Sequence, residues 1–174
     1  MKCEHCEIVQ GKSKANVLYE DNEVVIAIKD LAANAGQITI FPKEHFTIME
    51  LVPDNVLKKC SQLANKVSIA VFEALGSQGT NVIVQNGLSA GQKVPHFAIE
   101  VIPRIENDGL NLQWEPKQLE EHIMESVVTD LKEGLENFGK EKPKKKEESY
   151  KEKDNSKNKK TEDNYLIKSL KRLP

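Results

Sequence analysis

An excess of either charge is missing from this 174-residue chain: 30% of its residues are charged, yet the formal net charge is only -2. That balance gives no bulk attraction toward nucleic acid or an acidic surface. Long hydrophobic runs are missing too. No apolar segment approaches membrane-spanning length, which excludes a transmembrane helix and membrane partners of that kind. Met1-Lys2-Cys3-Glu4-His5-Cys6-Glu7 lacks the apolar stretch of a signal peptide, so a cytoplasmic protein is expected. Cysteine is sparse, with only Cys3, Cys6 and Cys60. In an unexported chain this argues against a disulfide framework and for a metal or free thiols.

What is present is one domain of ordinary size followed by an extension. Ala15 to Asp21, Val24 to Asp30 and Gly36 to Pro42 read as strands with turn residues between them. Pro53 opens a helix of about 53 to 75, with Val56, Leu57, Cys60, Leu63, Val67, Ala70 and Leu75 at helical spacing and Gly76 as the stop. Cys60, on that apolar stripe, is a small core residue. Thr80 to Gln85 and Pro95 to Pro103 are two further strands. A second helix is expected over about 117–138, carrying Leu119, Ile123, Val127, Leu131, Leu135 and Phe138 on one face and His122 as a solvated residue. The pattern is α+β, with an antiparallel sheet of about five strands, one long helix and a C-terminal helix, all within 1–139.

Beyond Gly139 the composition changes. Residues 140–163 are dense in Lys, Glu, Asp and Asn, with Tyr150 the only large apolar side chain. Such a linker cannot bury enough surface to offset chain entropy and is expected to be disordered. Its charges are mixed in sign, so nucleic-acid binding is not the leading reading. In 164–174, Leu166, Leu170 and Leu173 fall on one helical stripe beside Tyr165 and Ile167. Two readings stand open there: a short helix that docks a protein partner or the chain's own surface, and a frayed tail.

Two short motifs carry chemistry. Cys3 and Cys6, at i and i+3, let one turn present two thiolates to one ion; alone, the pair is ambiguous between zinc, redox chemistry and chance. His5, between them, is an alternative ligand that would strain the same turn. Read as a strand, Val94 to Arg104 puts His96, Ala98 and Glu100 on one face and Phe97, Ile99 and Val101 on the other. The second set packs inward; the first is aimed at solvent or a ligand.

Several segments, in order, resemble the histidine-triad (HIT) superfamily over roughly Met1 to Pro116. They are Cys3-Glu4-His5-Cys6, the hairpin strands from Val17 to Asp21 and Val24 to Asp30, and Ala35 to His45, which ends in Pro-Lys-x-His. Asn86 to His96 is similar to the glycine-bearing loop, and His96 to Arg104 to the signature His-φ-His-φ-His-φ-φ followed by Pro-Arg. The small prokaryotic branch with an N-terminal Cys-x-x-Cys is the nearest likeness. The resemblance implies a HIT-like fold, a homodimer paired through the long helix and a sheet edge, and a zinc ion held by Cys3, Cys6, His45 and His96. Four protein ligands of Cys₂His₂ type make a closed, structural site. It would clip the N-terminus to the sheet.

The resemblance also implies chemistry that these residues do not support. Family members attack a nucleotide's α-phosphate with the middle histidine, which suits a nucleophile neutral near physiological pH. Here that position is Ala98 and the third is Glu100, so no catalytic residue is expected. Glu100 adds negative charge where a phosphate would approach, unless it is protonated or paired. Gln37 and Gln85 depart from the family's histidine and asparagine. The residues left for a nucleotide are Asp30, Gln85, Gly91, Gln92 and Lys93, with Gly91-Gln92 equally readable as a tight turn of the fold. Lys93 and Ser89 lack a neighbouring base. The expectation is a zinc-bearing binding module for a weakly held purine nucleotide, a protein, or both. The alternative is a HIT-type nucleotide hydrolase or phosphoramidase with a substituted site, for instance with Glu100 as a base toward water.

Overall fold

Five short strands build the centre of the molecule. β1 (Asn16–Glu20), β2 (Val24–Ile28) and β3 (Ile38–Pro42) are joined to β4 (Gly79–Ile83) and β5 (Ile99–Arg104) in one antiparallel sheet of order β1-β2-β3-β5-β4. The computed structural model describes residues 3–112 and 114–136. The linker expected over 140–163, the docking helix expected over 164–174 and the end of the late helix lie outside them.

β2 and β3 are buried on both faces, which is why Val-Val-Ile-Ala-Ile and Ile-Thr-Ile-Phe-Pro read as continuous apolar runs. On one face, Val24, Ile26, Ile38, Ile40, Ile99 and Val101 pack against the long helix α2 (Asp54–Leu75) through Val56, Cys60, Ala64 and Val71. Pro53 caps that helix, and Gly76 ends it in the left-handed conformation at φ 64°. On the other face Val25, Ala27 and Phe41 are covered by Ile8 of a six-residue helix, α1 (Glu4–Val9). The sequence reading does not contain α1, because so short a segment has no periodicity to detect.

One strand is shorter than its sequence suggests. The segment expected to run from Pro95 begins its ladder only at Ile99. Pro95 has no N–H to donate. The His96 N–H turns back to the Val94 carbonyl at 2.7 Å, and the Phe97 N–H goes to the Phe46 carbonyl at 2.6 Å. His96 and Ala98 are thus held by a bent segment that enters β5, and Glu100 alone of the three lies in the ladder.

The described residues fall into two units, divided after Leu110. The second contains α3 (Glu121–Leu135), whose first turn follows an extended Glu120 and so starts later than the expected position near 117. Among the described residues no helix is long and apolar enough to cross a membrane.

Candidate metal centre and adjoining sheet face

The turn that starts α1 carries two thiols. Cys3 precedes the helix in an extended conformation, its carbonyl accepts the Glu7 N–H at 3.0 Å, and Cys6 follows one turn on. His45 lies just past β3, and His96 in the bend before β5. The four ligand atoms lie within 4.8 Å of one another. His96 Nδ1 is 3.4 Å from Cys3 Sγ and 3.6 Å from Cys6 Sγ, and His45 Nδ1 is 3.2 Å from Cys6 Sγ. A tetrahedral ion with ordinary metal–sulfur and metal–nitrogen bonds separates sulfur and nitrogen ligands by roughly 3.5 Å. The observed spacings are those of such a polyhedron's edges, so these residues fit a metal ion.

A further contact supports this. His96 Nε2–H donates to the Pro42 carbonyl at 2.9 Å, which turns Nδ1 to the thiols, where a metal would take its lone pair. Fixing a ligand's tautomer through its other ring nitrogen is how metal sites orient imidazole. Burial alone would push the Cys3 thiol up, but hydrogen bonds with His45 and His96 outweigh it and bring the pKa down to about 5. Cys6 is pushed up to about 11 by burial and by its neighbour Cys3. Burial and the neighbouring Cys3 favour the protonated Cys6 thiol, and a cation would relieve that repulsion. Cys3 and His96 are buried, while His45 stands at the exposed edge.

His5 is outside the ligand cluster. Its ring stacks on Phe41, with centroids 4.4 Å apart and planes at 16°, and it meets His96 edge-on at 5.3 Å. Burial, aided by the Lys29 charge, holds it well below the ordinary histidine pKa, so it is neutral. Neither ring nitrogen has a hydrogen-bond partner.

The same face of the sheet continues from the metal cluster. Thr39 pairs with Ala27 on one side and Glu100 on the other, and Glu100 pairs with Ile83. Two residues before Glu100, Ala98 offers only a methyl, part-buried against the cluster of Ile8, Val25, Ala27 and Phe41. The Glu100 carboxylate is not bare. Oε2 accepts from Gln37 Nε2 at 2.9 Å and from Thr39 Oγ1 at 2.8 Å, and Oε1 lies 3.6 Å from Lys29 Nζ. The charge expected to repel a phosphate is therefore paired. Lys29 and Thr39 escaped the sequence reading; their alternation with Val25, Ala27 and Phe41 was visible, but which strand they faced was not.

Of the residues expected to contact a nucleotide, the structure brings Gln85 and Gly91 together. Asp30 is exposed beyond the end of β2, and Gln85 is exposed beyond the end of β4. In the register, Ala27 near the end of β2 and Ile83 at the end of β4 share one row, with Thr39 of β3 and Glu100 of β5 between them. Gly91, at φ 86°, lies under the Gln85 amide; an added Cβ would sit 2.8 Å from Gln85 Nε2. Lys93 is exposed beside it. Gln92 is turned inward: its oxygen accepts the Gly87 N–H at 2.7 Å, and its amide donates to the Thr47 and Val94 carbonyls at 2.8 and 3.0 Å. These bonds tie its side chain across the loop.

Comparison with known proteins adds to this geometry. A profile described as the HIT domain matches residues 10–107. An uncharacterised HIT-like protein of Methanocaldococcus jannaschii is 35% identical over 108 residues, covering 62% of this chain and 82% of its own. The adenylylsulfatase HINT3 of Arabidopsis thaliana is 33% identical over 122 residues, 70% of this chain and 60% of its own. Among solved structures, a zinc-bound histidine triad family protein from Mycobacterium smegmatis superposes with a TM-score of 0.60 at 24% identity, over 77% of this chain and 98% of its own.

Proposed function

We propose, for a chain that belongs to the HIT domain family, that it works as a zinc-clamped binding module without nucleotidyl-histidine chemistry. Ala98 carries the reading. A methyl has no lone pair with which to attack phosphorus, and the nearest imidazoles are committed: His96 to the metal cluster and the Pro42 carbonyl, His5 to a buried stack on Phe41. Glu100 is a poor substitute base toward water, because its oxygens are engaged by Gln37, Thr39 and Lys29.

Zinc suits two thiolates and two imidazoles better than a hard cation does. When bound, it supplies a structural tie with no coordination position left for a substrate. Cys3 and Cys6 would bring the start of α1 to it, His45 the end of β3, and His96 the entry to β5. A cytoplasmic setting is part of the reading, since a reducing compartment keeps such thiolates free. So is pairing of two copies through α2 and the outer edge of β4. A groove of about 420 Å³ runs there, lined by Ser61, Ser68, Val82 and Val84 among others, and Phe72 and Val82 are more than half exposed beside it.

The second reading, a hydrolase with a substituted site, draws on the activity in the name of the Arabidopsis relative. Incubating the zinc-loaded protein with adenosine 5'-phosphoramidate and with adenylyl sulfate separates the two. No AMP above the buffer control is expected. Sustained turnover that a Glu100→Gln change abolishes would replace the module with the enzyme. Weak purine-nucleotide binding is checked by calorimetric titration with AMP, where absence of heat at millimolar ligand would leave a protein as the partner.

A further inference from the structure

Around Glu100 the donors are arranged as if for a bound anion. Two neutral donors, Gln37 Nε2 and Thr39 Oγ1, meet on one carboxylate oxygen, and the Lys29 ammonium faces the other. An ion pair made for stability alone needs only the lysine. Two of the donors are also set independently of what they bind. The Gln37 amide oxygen accepts the Ala33 N–H at 2.7 Å, which aims Nε2 at the site whether or not Glu100 is there. Thr39 is in the middle of β3, 1% exposed, its hydroxyl placed by the strand register. Lys29, at 3.6 Å, balances charge without a short hydrogen bond and is free to follow another anion.

We propose that Lys29, Gln37 and Thr39 form an oxoanion cradle that the chain fills with its own Glu100, so that this side chain closes the sheet face to phosphoryl groups. The inference rests on the module reading in one respect, that it concerns the same face. A carboxylate and a phosphoryl group both present paired acceptor oxygens to such donors. The side chains of Lys29 and Glu100 are each 16% exposed, so the cradle opens to solvent. The next side chain along the face, Ala98, brings no group that competes for the anion. Glu100 is thus the specificity-determining residue of the face, and the ligand class it keeps out is inorganic phosphate or a phosphate monoester.

The full-length, zinc-loaded Glu100→Ala protein is titrated with inorganic phosphate and with AMP, beside the unaltered chain, by calorimetry and by the ligand's effect on the thermal midpoint. Loss of the internal competitor is expected to tighten phosphate binding by roughly tenfold or more, one charged hydrogen bond's equivalent. Lys29→Met in the Glu100→Ala background is expected to cancel the gain. AMP bound more tightly than phosphate identifies a monoester site; equal affinities identify a phosphate site. A Glu100→Ala protein that keeps its zinc and its fold but binds phosphate no better than the unaltered chain overturns the cradle, as does a gain that survives Lys29→Met. Should Glu100→Ala not fold, Glu100→Gln keeps the volume and removes the charge, and is read by the same outcomes. Turnover of the phosphoramidate by the unaltered protein would defeat the module reading and leave the cradle standing, so the two failures are distinguishable.

Discussion

At the residue scale the proposed function turns on Ala98 and Glu100, which carry no imidazole, and on the neighbouring thiols, which could hold a metal. In the proposed clamp a cation offsets the second thiolate, which Cys3 and burial otherwise oppose. Cys6→Ser, or chelation, is expected to abolish stoichiometric zinc in metal analysis. With free zinc at a thousand times its dissociation constant, the lost stabilisation is about 4 kcal/mol. A thermal midpoint indifferent to chelator would remove the clamp from the account. A second residue-scale case lies away from the site. Lys59, 2.8 Å from the Asp21 carboxylate, together with the N–H groups of Glu23 and Val24, holds Asp21 well below the usual carboxylate range. A carboxyl with a depressed folded pKa stabilises above its ordinary titration range and loses that contribution as pH falls through the folded value. Asp21→Asn should therefore melt below the unaltered protein at about pH 7, with the gap narrowing progressively below about pH 4. A gap that widened in acid would contradict the pairing.

Among the elements, the long helix and the strands announce themselves through period, whereas α1 and the bend at Pro95 do not. α1 is six residues, too short to repeat a pattern, and is held by Ile8 against Val25 and Phe41. The bend depends on the Phe97 N–H donating to the Phe46 carbonyl, 51 residues upstream and invisible to local reading. Where elements meet, one glycine is decisive. Gly36 has φ 82°, and a Cβ there would sit 2.5 Å from Leu75 Cδ1 at the end of α2 and 3.3 Å from Pro103 Cγ in β5. Gly36→Ala is expected to destabilise by about 1–3 kcal/mol, through backbone strain and overpacking together. Urea unfolding measures it; a neutral result would mean that the α2 terminus yields without cost.

For the molecule as a whole, the question is what covers the groove beside β4. β4 is an edge of the sheet, and an edge strand invites pairing unless it is shielded. Phe72 on α2 and Val82 on β4 are both exposed, and Val82 lines the adjoining groove. The protein is expected to sediment as a dimer at micromolar concentration, and Phe72→Asp with Val82→Asp to sediment as a monomer that still binds zinc. A monomeric unaltered protein would leave that face for a different partner.

Period and residue type alone determined that there are five strands, the last begun too early at Pro95, a long helix to about 75, and no imidazole at positions 98 and 100, because those are properties of neighbours within a few residues. The family resemblance pointed to Cys3, Cys6, His45 and His96 as one ligand set. Only the tertiary structure decided that they meet, across a separation of 93 residues between Cys3 and His96. It also decided that Glu100 is a paired charge and that Gln92 is a staple. The physical reason is register: alternation tells which side chains share a face, but contacts across strands depend on how the strands are slid against one another, and that is set by the whole packed sheet.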